Sequence, residues 1–187
     1  MPLRSRHQLG SVGYQTGEKW SFKTNQGNGI KQIIVKCGSI IDSITFKRTK
    51  EDHTSKFGGN GGDKTFKINI DFPSEYLTGI SGTHGSACSL PNSVTSLTFI
   101  TNKTQYGPCG TICGTHFSVN ANDAVVTGFH GRCGKYVEGI GLYIKPVKPC
   151  DESDNGVFSA VEISLKANIK ARVNEGLWKI ISENLHF

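Results

Sequence analysis

Gly38-Ser39-Ile40-Ile41-Asp42-Ser43-Ile44-Thr45-Phe46 and Gly134-Lys135-Tyr136-Val137-Glu138-Gly139-Ile140-Gly141-Leu142 are two copies of one phrase. Each has a five-residue head that ends in an acid and a tail whose apolar residues alternate, the mark of a half-buried strand. Pro91-Asn92-Ser93-Val94-Thr95-Ser96-Leu97-Thr98-Phe99 is a third copy that has lost both the head glycine and the acid. Three related units, two of them acid-tipped, predict a pseudo-threefold β fold that presents polar ligand sites on loops.

The rest of the chain agrees with an all-β reading. Only 36% of its 187 residues are apolar, and 23 glycines accompany them. That pairing suits short strands joined by tight turns. Ile33-Ile34-Val35 is an apolar run, and Phe66, Ile68, Ile70 and Phe72 alternate with Lys67, Asn69 and Asp71. Gly58-Gly59-Asn60-Gly61-Gly62 is a loop that calls for positive φ or for close approach of another group. Residues 1–12 are polar and basic and are expected to be disordered; the domain is expected over 13–147. Residues 148–187 are expected to be an extension, with a linker over 149–156. Val161 to Val173 then alternate at period two as a strand would, although apolar residues also sit four apart.

The formal charge is +6, but the basic residues are scattered, and Glu51 and Asp52 follow the densest cluster, Lys47, Arg48 and Lys50. This is a solvated basic face rather than a nucleic-acid footprint, which needs a stripe with interleaved aromatics. No stretch is apolar enough for a membrane span, and no apolar run follows the basic N-terminus, so the expected compartment is the cytosol or nucleus with reduced cysteines. Cys109-Gly110-Thr111-Ile112-Cys113 resembles a metal knuckle, but the pair and His116 do not complete a tetrahedral set. No metal or cofactor is expected.

A glycine, three residues and a carboxylate at the start of a strand place backbone N–H groups and an acid around one small volume. That suits a ligand with adjacent hydroxyls, because a carboxylate accepts from two at once and charge-assisted bonds are about twice as strong as neutral ones. The competing reading is an aspartate that only caps a turn. A glycosidase needs two carboxylates facing one bond, and a Cys133–His130 nucleophile pair has no third orienting group, so no enzyme is expected.

Several phrases in order carry a family resemblance: Asp71-Phe72-Pro73-Ser74-Glu75-Tyr76-Leu77 with Ile80-Ser81-Gly82; Ser96 to Lys103 with Tyr106-Gly107-Pro108; and Gly128-Phe129-His130-Gly131-Arg132 through Gly141-Leu142-Tyr143. From Gly13 to Val147 the chain resembles the jacalin-related lectins. The resemblance implies a β-prism I of three Greek-key four-stranded sheets and a sugar site built from Gly134, Lys135, Tyr136, Val137 and Glu138 with Gly13. It implies that the acid takes the sugar's 4- and 6-hydroxyls, and that N–H groups after the glycine serve ring-side oxygens. Glu138 departs from the family's aspartate, a change expected to weaken that site, alter its preference or silence it. Gly38, Ser39, Ile40, Ile41 and Asp42 keep the full motif and, with Gly58 and Gly59, form the better-preserved site; the Thr95 copy is expected to be silent. The chain runs on through Gly13, which implies the mannose/glucose rather than the galactose class. The expected partners are mannose- or glucose-containing glycans, with a homodimer usual in the family. The alternative is a protein-contact module whose sugar sites have decayed.

Overall fold

The computed structural model describes residues 7–146 apart from 26, 27, 52, 88, 89, 122 and 123. The expected extension over 148–187, with its alternating segment, lies outside the described residues. Twelve strands follow one another: β1 (His7–Gly13), β2 (Glu18–Lys23), β3 (Ile30–Cys37), β4 (Ile41–Arg48), β5 (Thr54–Gly58), β6 (Lys64–Asn69), β7 (Leu77–Ala87), β8 (Leu90–Thr101), β9 (Gln105–Gly110), β10 (Thr115–Asn120), β11 (Ala124–Cys133) and β12 (Val137–Pro146). Among the described residues no helix is long and apolar enough to cross a membrane.

The strands form three four-stranded antiparallel sheets, ordered β5-β4-β3-β6, β10-β7-β8-β9 and β1-β12-β11-β2. In the first two, three consecutive strands meander and the fourth returns beside the first, which is a Greek key. The third repeats the same order using both ends of the domain. β11 and β12 are followed in space by β1, and β2 returns beside β11. The expected all-β prism of three Greek-key sheets is therefore what the chain builds.

That closure corrects one expectation. Residues 7–12 are not a disordered tail but part of β1, paired with β12 from His7↔Ile144 to Gly13↔Gly139. The domain thus starts before Gly13. The segment reads as polar because an edge strand needs few apolar contacts: only Leu9 and Val12 pack on the core. A bulge between them, with Gly10 at φ 64°, sets both on the core side.

The three repeat tails converge in the core. Ile44 and Phe46, Leu97 and Phe99, and Ile140 and Leu142 are each fully buried. Phe46 stacks on Phe22 and on Phe129, each at 4.7 Å between ring centroids, so β4 is locked against the neighbouring sheet. Ile33, Val35 and Cys37 alternate inward along β3, whereas Ile34 is only half-buried. Ile68 and Ile70 are buried, while Phe66, nearer the end of edge strand β6, stays 37% exposed. The Asp71–Leu77 phrase serves the fold. Glu75 is buried and accepts from the Thr101 and Tyr106 hydroxyls, both at 2.9 Å, which satisfies a carboxylate that burial alone would penalise.

Candidate functional site at one end of the prism

Two of the heads fold alike. Gly38-Ser39-Ile40 joins β3 to β4, and the Gly38 N–H donates to the Ile40 carbonyl at 3.1 Å. Gly134-Lys135-Tyr136 joins β11 to β12, and the Gly134 N–H donates to the Tyr136 carbonyl at 3.0 Å. Cys37↔Ile41 and Cys133↔Val137 close the two hairpins, each beside a bulge. Ile40, Ile41 and Val137 are buried and anchor the loops. Ser39, Gly134 and Lys135 are exposed.

A second loop crosses each head as a strap: Gly13–Gly17 between β1 and β2, Gly58–Gly62 between β5 and β6, and Gly110–Gly114 between β9 and β10. The residue after the first strap glycine donates its N–H to the head's fifth residue. Tyr14 bonds to the Glu138 carbonyl at 2.9 Å, Gly59 to that of Asp42 at 2.9 Å, and Thr111 to that of Thr95 at 2.8 Å. Gly13, Gly58 and Gly110 have φ of 90°, 99° and 84°, and a Cβ on any of them would strike that same carbonyl. Gly17, Gly62 and Gly114 also have positive φ. Only glycine fits both demands.

The sequence assigns Gly13, Gly58 and Gly59 to the site and marks Gly58 to Gly62 as a glycine-dependent loop, but leaves Gly17, Gly110 and Gly114 unassigned. The available signal was a glycine-x-x-x-glycine spacing that occurs three times in register with the heads. Cys109 to Cys113, considered as a metal knuckle, overlaps the third strap. Burial pushes the Cys109 thiol up to about 12, which disfavours the thiolate a metal needs, and the described residues hold no cluster of metal-ligating side chains.

The three acid positions differ. Asp42 lies against the second half of its strap: a Cβ on Gly61 would strike its Oδ1, and one on Gly62 would come 2.9 Å from its Oδ2. Burial raises the Asp42 carboxyl above its ordinary range and Asp63 adds to this, while the Gly38 amide and Lys36 oppose it. Glu138 has a longer arm that folds back. Its Oε1 lies 3.1 Å from where a Gly134 Cβ would stand, and its Oε2 lies 2.9 Å from a Gly17 Cβ. Oε2 is buried with no hydrogen-bond partner.

Thr95 is fully buried in a hydroxyl network of its own. Thr83 Oγ1 lies 2.7 Å from both Thr95 Oγ1 and Ser96 Oγ, and it accepts the Cys113 N–H at 3.2 Å. Thr95 in turn donates to the Cys113 carbonyl. The β7–β8 pairing also runs on through Gly85↔Ser93 to Ala87↔Leu90, so no tight three-residue head forms there. The third unit spends its polar groups on itself.

The units interlock in a ring. The Gly58 amide lies close enough to the Cys133 thiol, and the Gly110 amide to the Cys37 thiol, to favour the thiolate against burial, while His84 meets the Tyr14 ring edge-on at 6.0 Å. A Cβ on Gly59 would fall on the Lys135 carbonyl. Each strap is therefore wedged between its own head and the next, and the Asp42 and Glu138 loops are neighbours across strap 58–62. The Cys133–His130 nucleophile pair fails on chemistry as well. Burial raises the Cys133 thiol, the reverse of activation, and Gln8 Nε2 holds His130 Nδ1 at 3.1 Å.

The chain is similar to known proteins in sequence and fold. The chain is 44% identical over 144 residues to the mannose/glucose-specific lectin of Parkia pendula, covering 74% of this chain and 32% of that protein. It is 44% identical over 147 residues to the galactose-specific lectin of Morus indica, covering 73% and 90%. The structure of Calsepa lectin, from Calystegia sepium, in complex with a bisected glycan superposes with a TM-score of 0.67 at 37% identity, covering 75% of this chain and 98% of that one. The chain spans about a third of the length of the Parkia relative it matches. Residues 9–143 match the Jacalin-like lectin domain, and the chain belongs to that family.

Proposed function

We propose that this chain is a lectin that binds mannose- or glucose-type glycans without transforming them. The observation that carries the reading is the contrast among three equivalent loops. Two present a carboxylate beneath a glycine strap, whereas the third has turned its polar groups inward. At the first, Gly38, Ser39, Ile40, Ile41 and Asp42 sit with Gly58 and Gly59; the carboxylate accepts from adjacent sugar hydroxyls and the head amides donate to neighbouring oxygens. At the second, Gly134, Lys135, Tyr136, Val137 and Glu138 sit with Gly13, and the folded-back Glu138 weakens the same chemistry.

The mannose/glucose specificity of the Parkia relatives favours mannose over galactose. Loop sites of this kind bury little of one sugar, so single-site affinity is on the order of millimolar, and avidity comes from paired sites or dimers. Calorimetry with methyl α-mannoside and methyl α-galactoside tests the reading. Heat with the mannoside alone supports it; heat with the galactoside alone, or with neither, overturns it.

Glu138→Asp is expected to tighten mannoside binding at the second site by about threefold to tenfold. It removes one rotatable bond, whose freezing costs of order 0.5 kcal/mol, and it draws the carboxylate off Gly134. The calorimetric stoichiometry should then move toward two sugars per chain. The second reading, a protein-contact module with spent sugar sites, draws on the unpartnered Glu138 Oε2. It predicts that Glu138→Asp changes nothing and that free mannoside never competes with the partner.

A further inference from the structure

Each third of the prism places one residue just past its second strap glycine: Glu18 after Gly17, Asp63 after Gly62, and Thr115 after Gly114. All three are exposed. The acids stand where the head ends in an acid, and the threonine stands where the head ends in Thr95. The strap-end residue thus follows the chemistry of the head it borders.

Asp63 is the better resolved in its surroundings. A Cβ built on Gly38 would come 3.2 Å from Asp63 Oδ1, so this carboxylate overhangs the head glycine while Asp42 lies against Gly61 and Gly62. Two carboxylates flank one loop. Two other acids nearby in sequence are engaged: half-buried Glu51 bonds to Arg48 at 2.7 Å, and exposed Asp71 accepts from Ser74 at 2.8 Å. Asp63 forms no hydrogen bond or ion pair with any described residue. Its carboxylate is solvent-exposed and stands beside the Gly38–Asp42 head.

We propose that Asp63 is a specificity-determining residue of the Asp42 site, accepting a hydroxyl from the sugar linked to the bound mannose, with Glu18 holding the equivalent place at the Glu138 site. The proposal rests on the lectin reading above. An exposed carboxylate on the far side of Gly38 adds a charge-assisted acceptor for the next residue of a chain, so the site discriminates by glycan length as well as by sugar. The Asp63 charge also reaches Asp42, whose carboxyl it helps to raise after burial; Lys36 from β3, the Gly38 amide, and Lys64 and the Cys37 thiol nearby complete the titratable and polar groups around the pair.

Calorimetry on the full chain and on Asp63→Asn, with methyl α-mannoside and an α-linked methyl dimannoside, decides it. The unaltered chain is expected to bind the dimannoside about tenfold more tightly than the monosaccharide, the worth of one such bond. Asp63→Asn should keep monosaccharide affinity within about twofold and lose most of that advantage. In the variant the acid limb of mannoside binding should also move to lower pH, because one raising influence on Asp42 is gone. Equal losses for both sugars would mark a structural role and overturn the proposal, as would an advantage that survives the substitution or is absent from the start. Heat with neither sugar would overturn the lectin reading itself, and the proposal with it.

Discussion

Asp42→Asn is expected to remove measurable mannoside binding at the better-preserved site. The substitution keeps the side chain's size and one oxygen acceptor but loses the charge, and it puts an amide donor where a sugar hydroxyl must also donate. Hydrogen bonds to charged groups contribute about 1.5–3 kcal/mol, so the loss corresponds to about 10–100-fold in affinity. From a millimolar start that takes the site beyond calorimetric detection. Retained binding would show that the carboxylate is a turn cap and not a ligand group.

The same residue sets a pH dependence. Binding needs the ionised carboxylate, and burial holds the Asp42 carboxyl above its ordinary range. Affinity should therefore be present at neutral pH and fall as pH drops through that raised value, earlier than an exposed aspartate would dictate. The stability linkage has the opposite sign. A carboxyl raised above its unfolded value favours the folded state while protonated, and this contribution is lost as pH rises through the folded value. At pH 7 the half-buried charge costs stability, so Asp42→Asn should raise the melting temperature there while abolishing binding. A fall would mean that the charge supports the strap.

Phe46→Ala has the largest expected effect on stability. Phe46 is fully buried and stacks on Phe22 and Phe129 at 4.7 Å, with Trp20 and Phe57 both at 6.3 Å. Removing a core phenylalanine costs about 3–5 kcal/mol, because the transfer energy is lost and a cavity remains. Rings on three sides leave little freedom to collapse into the gap, which places the cost toward the upper end. For a domain of this size that lowers the melting temperature by roughly 10–20 °C. Thermal or guanidinium unfolding measures it, and a loss under about 1 kcal/mol would contradict the packing described. Mannoside affinity well below the melting point should be nearly unchanged, since the head at Gly38–Asp42 hangs on Ile40 and Ile41, both buried in their own right.

The sequence determined the strand character, the threefold repeat and the identity of the acid-tipped heads. These are local properties: period-two alternation marks Ile44–Phe46 as one face of a strand, and a head glycine with a carboxylate four residues on is visible without any neighbour. It also marked Gly58 to Gly62 as a loop for which glycine was required. What it could not show was which segments meet. β1 looked like a tail because an edge strand buries only Leu9 and Val12, and its need for β12 is a long-range pairing with no local trace. The roles of Gly17, Gly110 and Gly114 were missed for the same reason. Gly110 is explained only by the Thr95 carbonyl above which it lies, and Gly17 only by Cys133 and Glu138.

Tertiary structure likewise decided the fates of the three heads. Thr95 reads as a lost acid, but only its contacts with Thr83, Ser96 and the Cys113 backbone show that the third unit has closed on itself. Glu138 reads as an acid one methylene too long, but only the fold shows that the extra length turns one oxygen back onto Gly134, while the other sits against Gly17 as Asp42 sits against Gly62. Whether each head's polar group meets solvent or its own loop depends on a strap that reaches it only in the folded chain, from about twenty positions away for Asp42 to 121 for Glu138 and Gly17. That is a property of packing, which no stretch of sequence carries alone.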